Sequence, residues 1–480
     1  MSILFKKHAL KVTAVLVILV ILGLAYSLKT PKQLIPQSPK NTTWLINDVN
    51  LISMLPDSPK VLTNQSIYVV NGTIFKVGEQ INVPEKTKII AGRGRFVIPG
   101  LIDAHVHLND ESELAGYLIH GVTGIRNMSG YPFHLRLSNK IEAGQILGPH
   151  IITTGPILNS PGPNTNIIQQ LVSDTGDARR AVRMQYEQGY RYIKIYSNLR
   201  REVYEAIMDE AKSLNMRVTG HTPEGIRYDG VPYQRAFTIP WQDSLGRGID
   251  TFEHIETIVW HALRDDLNIA KMKHVTELLR KNGEAVTPTL IAHRRLVNIA
   301  DSKGRYLERD GSETISPLVR LFESSAEKYW STMGVSEYES SHAAFYLKAT
   351  KILHEAGIPL LTGTDSGGFG LIPGKSMYEE LSLLVQAGIS PYDALQSATY
   401  LPAKVLGFEH SGVIVEGYRA NMVILDANPA VKIEYINTVS GVMINGNWLD
   451  AEELKQLSFA AKNTSLLRSL FRFLEMKLSF

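Results

Sequence analysis

Between residues 97 and 410, short apolar runs alternate with amphipathic stretches. There are eight such runs: 97–107, 122–127, 149–154, 190–196, 216–221, 249–255, 284–291 and 358–364. Strands that alternate with helices pair in parallel, because a parallel neighbour needs a crossover long enough to hold a helix. Eight units of this kind predict a closed (β/α)8 TIM-like barrel. The connectors agree. "DARRAVRMQYEQG" (177–189) and "REVYEAIMDEAKSLN" (201–215) carry apolar residues at helical spacing and end near Gly or Asn. Two connections, 223–248 and 292–357, are longer. Long loops after barrel strands lie at the C-terminal face, where active sites form. A lid and a surface insertion without function fit these two equally.

The flanks have a different texture. Residues 43–98 hold "TWLINDVNLI", "QSIYVVNGTIFKVG" and "TKIIAGRGRFVI", with Asn71-Gly72 as a hairpin signal. A similar texture returns at 411–449. We therefore expect segments 42–97 and 411–450 to form one small discontinuous β-sandwich domain around a barrel at 98–410, with a helical tail at 451–480. Residues 1–41 read as a signal or anchor segment and linker. Lys6, Lys7 and Lys11 precede an uncharged run at 12–26, and a polar, proline-bearing stretch follows. The run is shorter than the roughly 20 residues of a spanning helix. This predicts export, either to the periplasm or to a membrane-anchored position facing outside the cytoplasm. Membrane association would run through this segment, and cleavage is left open. The tail sets Leu466, Leu467, Leu470, Phe471, Leu474 and Leu478 at helical spacing among Arg468, Arg472 and Lys477. It reads as a helix on a membrane surface or, more plainly, as one docked on the barrel.

Composition removes several function classes. The chain has no cysteine, so disulfides, thiolate metal ligands and a cysteine nucleophile are excluded. A net charge of +3 over 480 residues, with no dense Lys/Arg stripe, argues against a nucleic-acid partner. Oligomerisation is left open.

The chemistry starts at "VIPGLIDAHVHL", residues 97–108. In a strand, residues i and i+2 share a face, so Asp103, His105 and His107 point one way and Ala104 and Val106 the other. Two histidines on one face of an apolar strand are costly unless something binds them, and a divalent metal is the commonest partner. Without cysteine, the other ligands must be His, carboxylate or modified lysine. Later runs end in such residues: Lys194 in "YRYIKIYS", His221 in "RVTGHTPEG", His254 in "GIDTFEHIE" and Asp365 in "IPLLTGTDSGG". Each has a plainer reading. His221 could be a satisfied core histidine, His254 an ion pair with Glu253, Asp365 a turn or helix cap, and Lys194 a salt-bridged strand end. Together they converge on the C-terminal rim of one barrel, where catalysis is expected. Tyr196 and Tyr228, with Tyr233 and Arg227, lie near predicted rim positions. They are candidates to hold a substrate carboxylate or oxyanion, or else pack the loops.

"GLIDAHVHL", "GVTGIRN", "IKIYS", "GHTPEG", "FEHIE", "TGTDSGG", "LQSATYLPAKVLG" and "GYRANMVILDANP" follow in this order over residues 43–450. This arrangement resembles the amidohydrolase superfamily, in its imidazolonepropionase-like and metal-dependent dipeptidase group. One departure is Asn421, where relatives usually carry aspartate; it lies away from the expected ligands. The resemblance implies two divalent metal ions, Zn²⁺ with Mn²⁺ or Fe²⁺ as alternatives. His105 and His107 would bind one with Asp365, and His221 and His254 the other. Lys194 would bridge them as a carboxylated lysine. Asp365 would also be the catalytic proton shuttle. The implied reaction is hydrolysis of a C–N bond in a small-molecule or dipeptide substrate (an amide, a cyclic amide or a dipeptide) by metal-activated hydroxide. The alternative is a metal-binding barrel with little catalytic activity, acting as an extracytoplasmic binding protein.

Overall fold

A computed structural model describes residues 29–36, 42–226 and 237–479. The signal or anchor run at 12–26 lies outside the described residues. Four strands lead the chain: β1 (Thr43–Leu51), β2 (Leu62–Val70), β3 (Thr73–Gly78) and β4 (Lys88–Pro99). The barrel region holds β5 (Leu101–Val106), β6 (Val122–Asn127), β7 (His150–Thr153), β8 (Ile157–Asn159), β9 (Gln169–Leu171), β10 (Tyr192–Ile195), β11 (Arg217–Gly220), β12 (Ile249–Glu253) and β13 (Val286–Thr287). Three more strands close the sheet of the flanks: β14 (Met422–Leu425), β15 (Val439–Ile444) and β16 (Asn447–Leu449).

The barrel ring closes through thin seams. β5, β6 and β7 pair in parallel, as do β10, β11, β12 and β13. A parallel bridge from Thr154 to Tyr192 joins the two sets. Bridges Val286 to Leu360 and Val106 to Ser366 bring in the eighth segment and return to β5. Two runs therefore differ from their sequence reading. The run at 358–364 is not a regular strand: it holds one bridge residue, Leu360, and bonds through Pro359, Leu361, Thr362 and Thr364 to β13 and β5. At 284–291 the strand is only Val286–Thr287, because the chain turns through Thr289 at φ +45° into the helix Leu290–Asp301. The run 97–107 is two strands that part at Gly100, where a Cβ would sit 2.0 Å from the Thr123 hydroxyl. The short strands β8 and β9 extend the ring beside β10 and had no clear sequence signal.

The long connection at 292–357 is mostly helical, with Pro317–Thr332 and Glu337–Glu355 following Leu290–Asp301. The tail forms helices Ala451–Ala461 and Leu466–Lys477. The first packs on helix Glu113–Ile119, the second on helices Pro132–Glu142 and Pro317–Thr332. Among the described residues no helix is long and apolar enough to cross a membrane.

The flanks build one seven-stranded sheet, β16-β15-β14-β4-β1-β2-β3, antiparallel except for β1 with β4. Strand period sorts its residues. Val97, Met422, Ile424 and Met443 join the sheet's own cluster, while Ile98, Val423, Leu425, Val442 and Ile444 join the barrel core. The sheet also curls back: Ile74 N donates to the Tyr418 carbonyl and Gly417 N to the Ile74 carbonyl, both at 2.8 Å. That closure encloses the inner cluster, so one sheet makes a sandwich-like core. Asn421, buried here, accepts from Asn445 N at 2.9 Å and so holds a turn of this sheet, a bond an aspartate oxygen would also accept.

Candidate metal centre

Strand geometry delivers the six expected ligands to one end of the ring. His105 and His107 leave β5, Lys194 lies in β10, His221 and His254 follow β11 and β12, and Asp365 ends the eighth segment. Ring centroids run from His107 to His105 (5.5 Å), to His254 (4.6 Å), to His221 (4.7 Å). Asp365 Oδ1 lies 3.1 Å from His107 Nε2 and 3.4 Å from His105 Nε2. One ligand atom each from His105, His107 and Asp365 fits within 4.8 Å of the others. Lys194 Nζ lies 3.1 Å from His105 Nε2. Asp365 and His254 hold φ of +59° and +66°, a strained region for non-glycine residues that re-aims both side chains inward.

A second layer fixes the rings. The His105 Nδ1–H donates to Glu253 Oε2 at 2.7 Å, which turns Nε2 and its lone pair to the centre. Glu253 is held in turn by Arg126, at 2.6 Å through Oε1. The Arg126 guanidinium also donates to the Ala104 carbonyl and to Thr251. His254 Nδ1 lies 2.6 Å from the Thr289 hydroxyl. Asp103 accepts from Thr364 N at 3.0 Å and from its hydroxyl at 2.6 Å, which sets the approach to Asp365. The reading of Glu253 as the partner of His254 is corrected: neighbours in a strand point to opposite sides, and Glu253 serves His105 instead.

Burial shapes the charges. It holds the imidazoles of His105 and His221 well below their usual range and that of His254 down to about 4. All three are neutral near pH 7, the form that ligates. Burial likewise lowers Lys194 to about 8 and raises Asp103 to about 7. Burial pushes the Asp365 carboxyl up, but the hydrogen bond from His107 and the neighbouring rings prevail and hold it well below the usual range. The donor set fits divalent cations: the neutral imidazoles of His105, His221 and His254, with His107 Nε2 beside the Asp365 carboxylate. Lys194 as an ammonium would oppose them; as a carbamate, formed with carbon dioxide and loss of a proton, it would supply two oxygens.

Two cavities reach the cluster. One of about 300 Å³ is lined by His107, Asp365, Arg295, Phe322, Ser469 and Phe473. The other, about 380 Å³, is lined by Tyr196, His221, Glu224, Glu256 and Trp260. Tyr196 stands with its ring 4.1 Å from that of His221. Tyr228, Tyr233 and Arg227 lie outside the described residues. Sequence reasoning missed Arg126, Thr289 and Arg295; none carries a strand-end signal. Arg295 stacks 4.9 Å over Phe369, with Nη1 3.7 Å from Asp365 Oδ2.

The profile of the amidohydrolase family matches residues 96–449. An imidazolonepropionase of Idiomarina loihiensis is 20% identical over 84% of this chain and 96% of its own length. A 5-methylthioadenosine/S-adenosylhomocysteine deaminase of Caldanaerobacter subterraneus is 42% identical over 64 residues, 13% of this chain and 14% of that protein. Among solved structures, a bottromycin amidohydrolase superposes with TM-score 0.70 at 24% identity, covering 91% of this chain and 93% of that one. A Xaa-Pro dipeptidase with bound methionine gives 0.63 at 20% identity, covering 85% and 100%.

Proposed function

Because the chain belongs to the amidohydrolase family, a family of hydrolases, we propose that it hydrolyses a C–N bond in a dipeptide, N-acyl amino acid or cyclic amide. The observation that carries this reading is the convergence of four histidines, Lys194 and Asp365 on one end of the ring. His105, His107 and Asp365 would hold one divalent ion, His221 and His254 another, with carboxylated Lys194 between them. The buried imidazoles and oxygen ligands suit Zn²⁺, with Mn²⁺ or Fe²⁺ as alternatives. Bound there, such ions supply a nucleophile at neutral pH and polarise a carbonyl.

The chain's own residues do the rest. Asp365 accepts a proton as water oxygen adds to the carbonyl carbon, then gives it to the nitrogen as the C–N bond breaks. Its depressed pKa keeps it ionised before each turnover. Asp103 positions it through Thr364. Arg295 has Nε and Nη1 buried without hydrogen-bond partners at the mouth of the smaller cavity. We assign it to a substrate carboxylate, which a guanidinium recognises through paired donors. Tyr196 flanks the opposite cavity.

Full-length protein reconstituted with Zn²⁺ or Mn²⁺ should turn over members of a panel of dipeptides, N-acyl amino acids, cyclic ureides and lactones. Metal-loaded protein inert to the whole panel would favour the binding-protein alternative. The basic residues before the run at 12–26 support export or N-terminal anchoring. Residues 1–40 fused to a reporter active only outside the cytoplasm should switch it on; a well-expressed, silent fusion would sink this part.

A further inference from the structure

The helix Leu466–Lys477 is built inside out. Three of its charged residues, Arg468, Arg472 and Glu475, face the protein, while Lys477 in the last turn is exposed. Arg468 is 3% exposed and donates through Nε to Asp110 Oδ2 at 2.8 Å. Arg472 donates to Glu111 Oε1 at 2.6 Å, and Glu475 pairs with Arg136 at 2.7 Å. Its apolar residues face outward: Leu466, Leu467, Leu470, Phe471 and Leu474 are 37–49% exposed, and Leu478 just beyond is 88% exposed. The neighbouring helix Pro317–Thr332 adds Leu321 and Phe322, 62% and 47% exposed, with Phe322 5.6 Å from the Phe473 ring. A helix packed on a soluble domain normally turns its apolar stripe to the core. Here three ion pairs fix the opposite orientation, so the outward stripe is a set feature. A contiguous apolar face of this kind marks an interaction surface.

The chain's own path names the occupant. Lys29, where the described structure begins, accepts at its carbonyl from Arg468 Nη1 at 3.3 Å. Residues 12–28 just upstream carry no charge. The three residues from Tyr26 to Lys29 reach at most about 11 Å. Any bilayer that takes the run at 12–26 therefore has its surface beside this helix. We propose that the outward face of Leu466–Lys477, with Leu321 and Phe322, docks on a lipid bilayer surface. The docking face shares Phe322 with the lining of the 300 Å³ cavity that ends at His107 and Asp365, and Phe473 of that lining packs on Phe322, so that cavity opens beside the lipid. The proposal leans on the anchoring reading, which the reporter fusion tests separately.

The absence of cysteine allows a single label. Leu474→Cys in the full chain, carrying an environment-sensitive fluorophore, is reconstituted with vesicles of phosphatidylcholine and phosphatidylglycerol, with or without brominated acyl chains. Phe471→Cys is a second reporter. Glu277→Cys, exposed on the helix after the sixth barrel strand and so across the ring from helix Pro132–Glu142, is the control. Brominated lipid should remove at least half the emission at 474 and 471 and leave 277 unchanged. Emission at 474 open to an aqueous quencher and indifferent to brominated lipid would overturn the proposal. Shielding from both quenchers would also overturn it, since the cover would then be protein: residues 12–26 or a second copy of the chain.

Discussion

Asp365 combines two demands that conflict in most sites. It must stay ionised beside a buried cluster, and it must carry a proton. Asp365→Asn keeps the size and an oxygen for the metal but cannot carry that proton. General acid–base catalysis is worth about 10² to 10⁴ in rate, so kcat should fall at least about 100-fold while metal content, measured by elemental analysis, is largely kept. Activity within about threefold of wild type, far short of that expectation, would move proton transfer to another group. Arg295→Ala should act on binding instead. A hydrogen bond to a charged group contributes about 1.5–3 kcal/mol, so KM for a carboxylate-bearing substrate should rise roughly ten- to hundredfold, with kcat changed much less. The methyl ester of the same substrate, which lacks the carboxylate charge, should lose nothing, and equal losses on both would place Arg295 elsewhere. At this scale the ligands were legible because strand period aims alternate residues: His105 and His107 two apart, and one polar residue at or near the end of the fourth, fifth, sixth and eighth runs. Their supports were not. Arg126 lies inside "GVTGIRN" with nothing to mark its reach to Glu253, and Thr289 serves His254 only because the chain turns there.

The seams of the ring make their own demand on sequence. Gly363 lies where the eighth segment passes between β5 and β13, and a Cβ there would stand 2.5 Å from Thr287 Cγ2 and 2.8 Å from His105 Cβ. Both neighbours are fixed, one by its strand and one by Glu253. Gly363→Ala should therefore force the segment outward, at about 1–3 kcal/mol for overpacking, and draw Asp365 away from His105. A lower thermal midpoint together with reduced activity is the expected result; a variant with wild-type midpoint and full activity would show that the seam has slack. The same crowding explains which elements the sequence disclosed. The runs at 122–127 and 249–255 form strands that pair in parallel with a neighbour on each side. At 284–291 the strand is two residues long, and 358–364 bonds to β5 and β13 without the regular register of a strand, so their apolar patterns give the position but not the element bounds. The helices of 292–357 are amphipathic but stand outside the ring, where a strand-and-helix alternation gives no clue to their number.

Across the whole molecule the cluster gathers ligands from the first, fourth, fifth, sixth and eighth positions of a ring whose last seams are short. Backbone hydrogen bonds from Ala104, His107, Thr364 and Asp365 N run between β5 and the eighth segment, and those from Val286 and Leu361 N between that segment and β13. The flanking sheet was readable from the matching β texture at both ends; it encloses one cluster and packs its other face on the barrel core, but it carries none of the expected ligands that meet at these seams. Metal bound at the cluster would tie them, since any ligand held by the folded state alone stabilises it by mass action, about 4 kcal/mol at a thousandfold excess over Kd. Unfolding a chain of this length carries an entropy of about 1 kcal/mol/K. A chelator should thus lower the thermal midpoint by about 4 °C, and Zn²⁺ or Mn²⁺ should restore it. Lys194→Ala, lacking the bridging carbamate, should start lower, contain less than the two equivalents expected of wild type, and respond less to chelation; a short carboxylic acid supplied in solution should recover part of the difference. Identical midpoints for wild type with and without chelator, and for Lys194→Ala, would mean that the four imidazoles hold the ring end together by themselves and that Lys194 is a structural lysine without a metal to bridge.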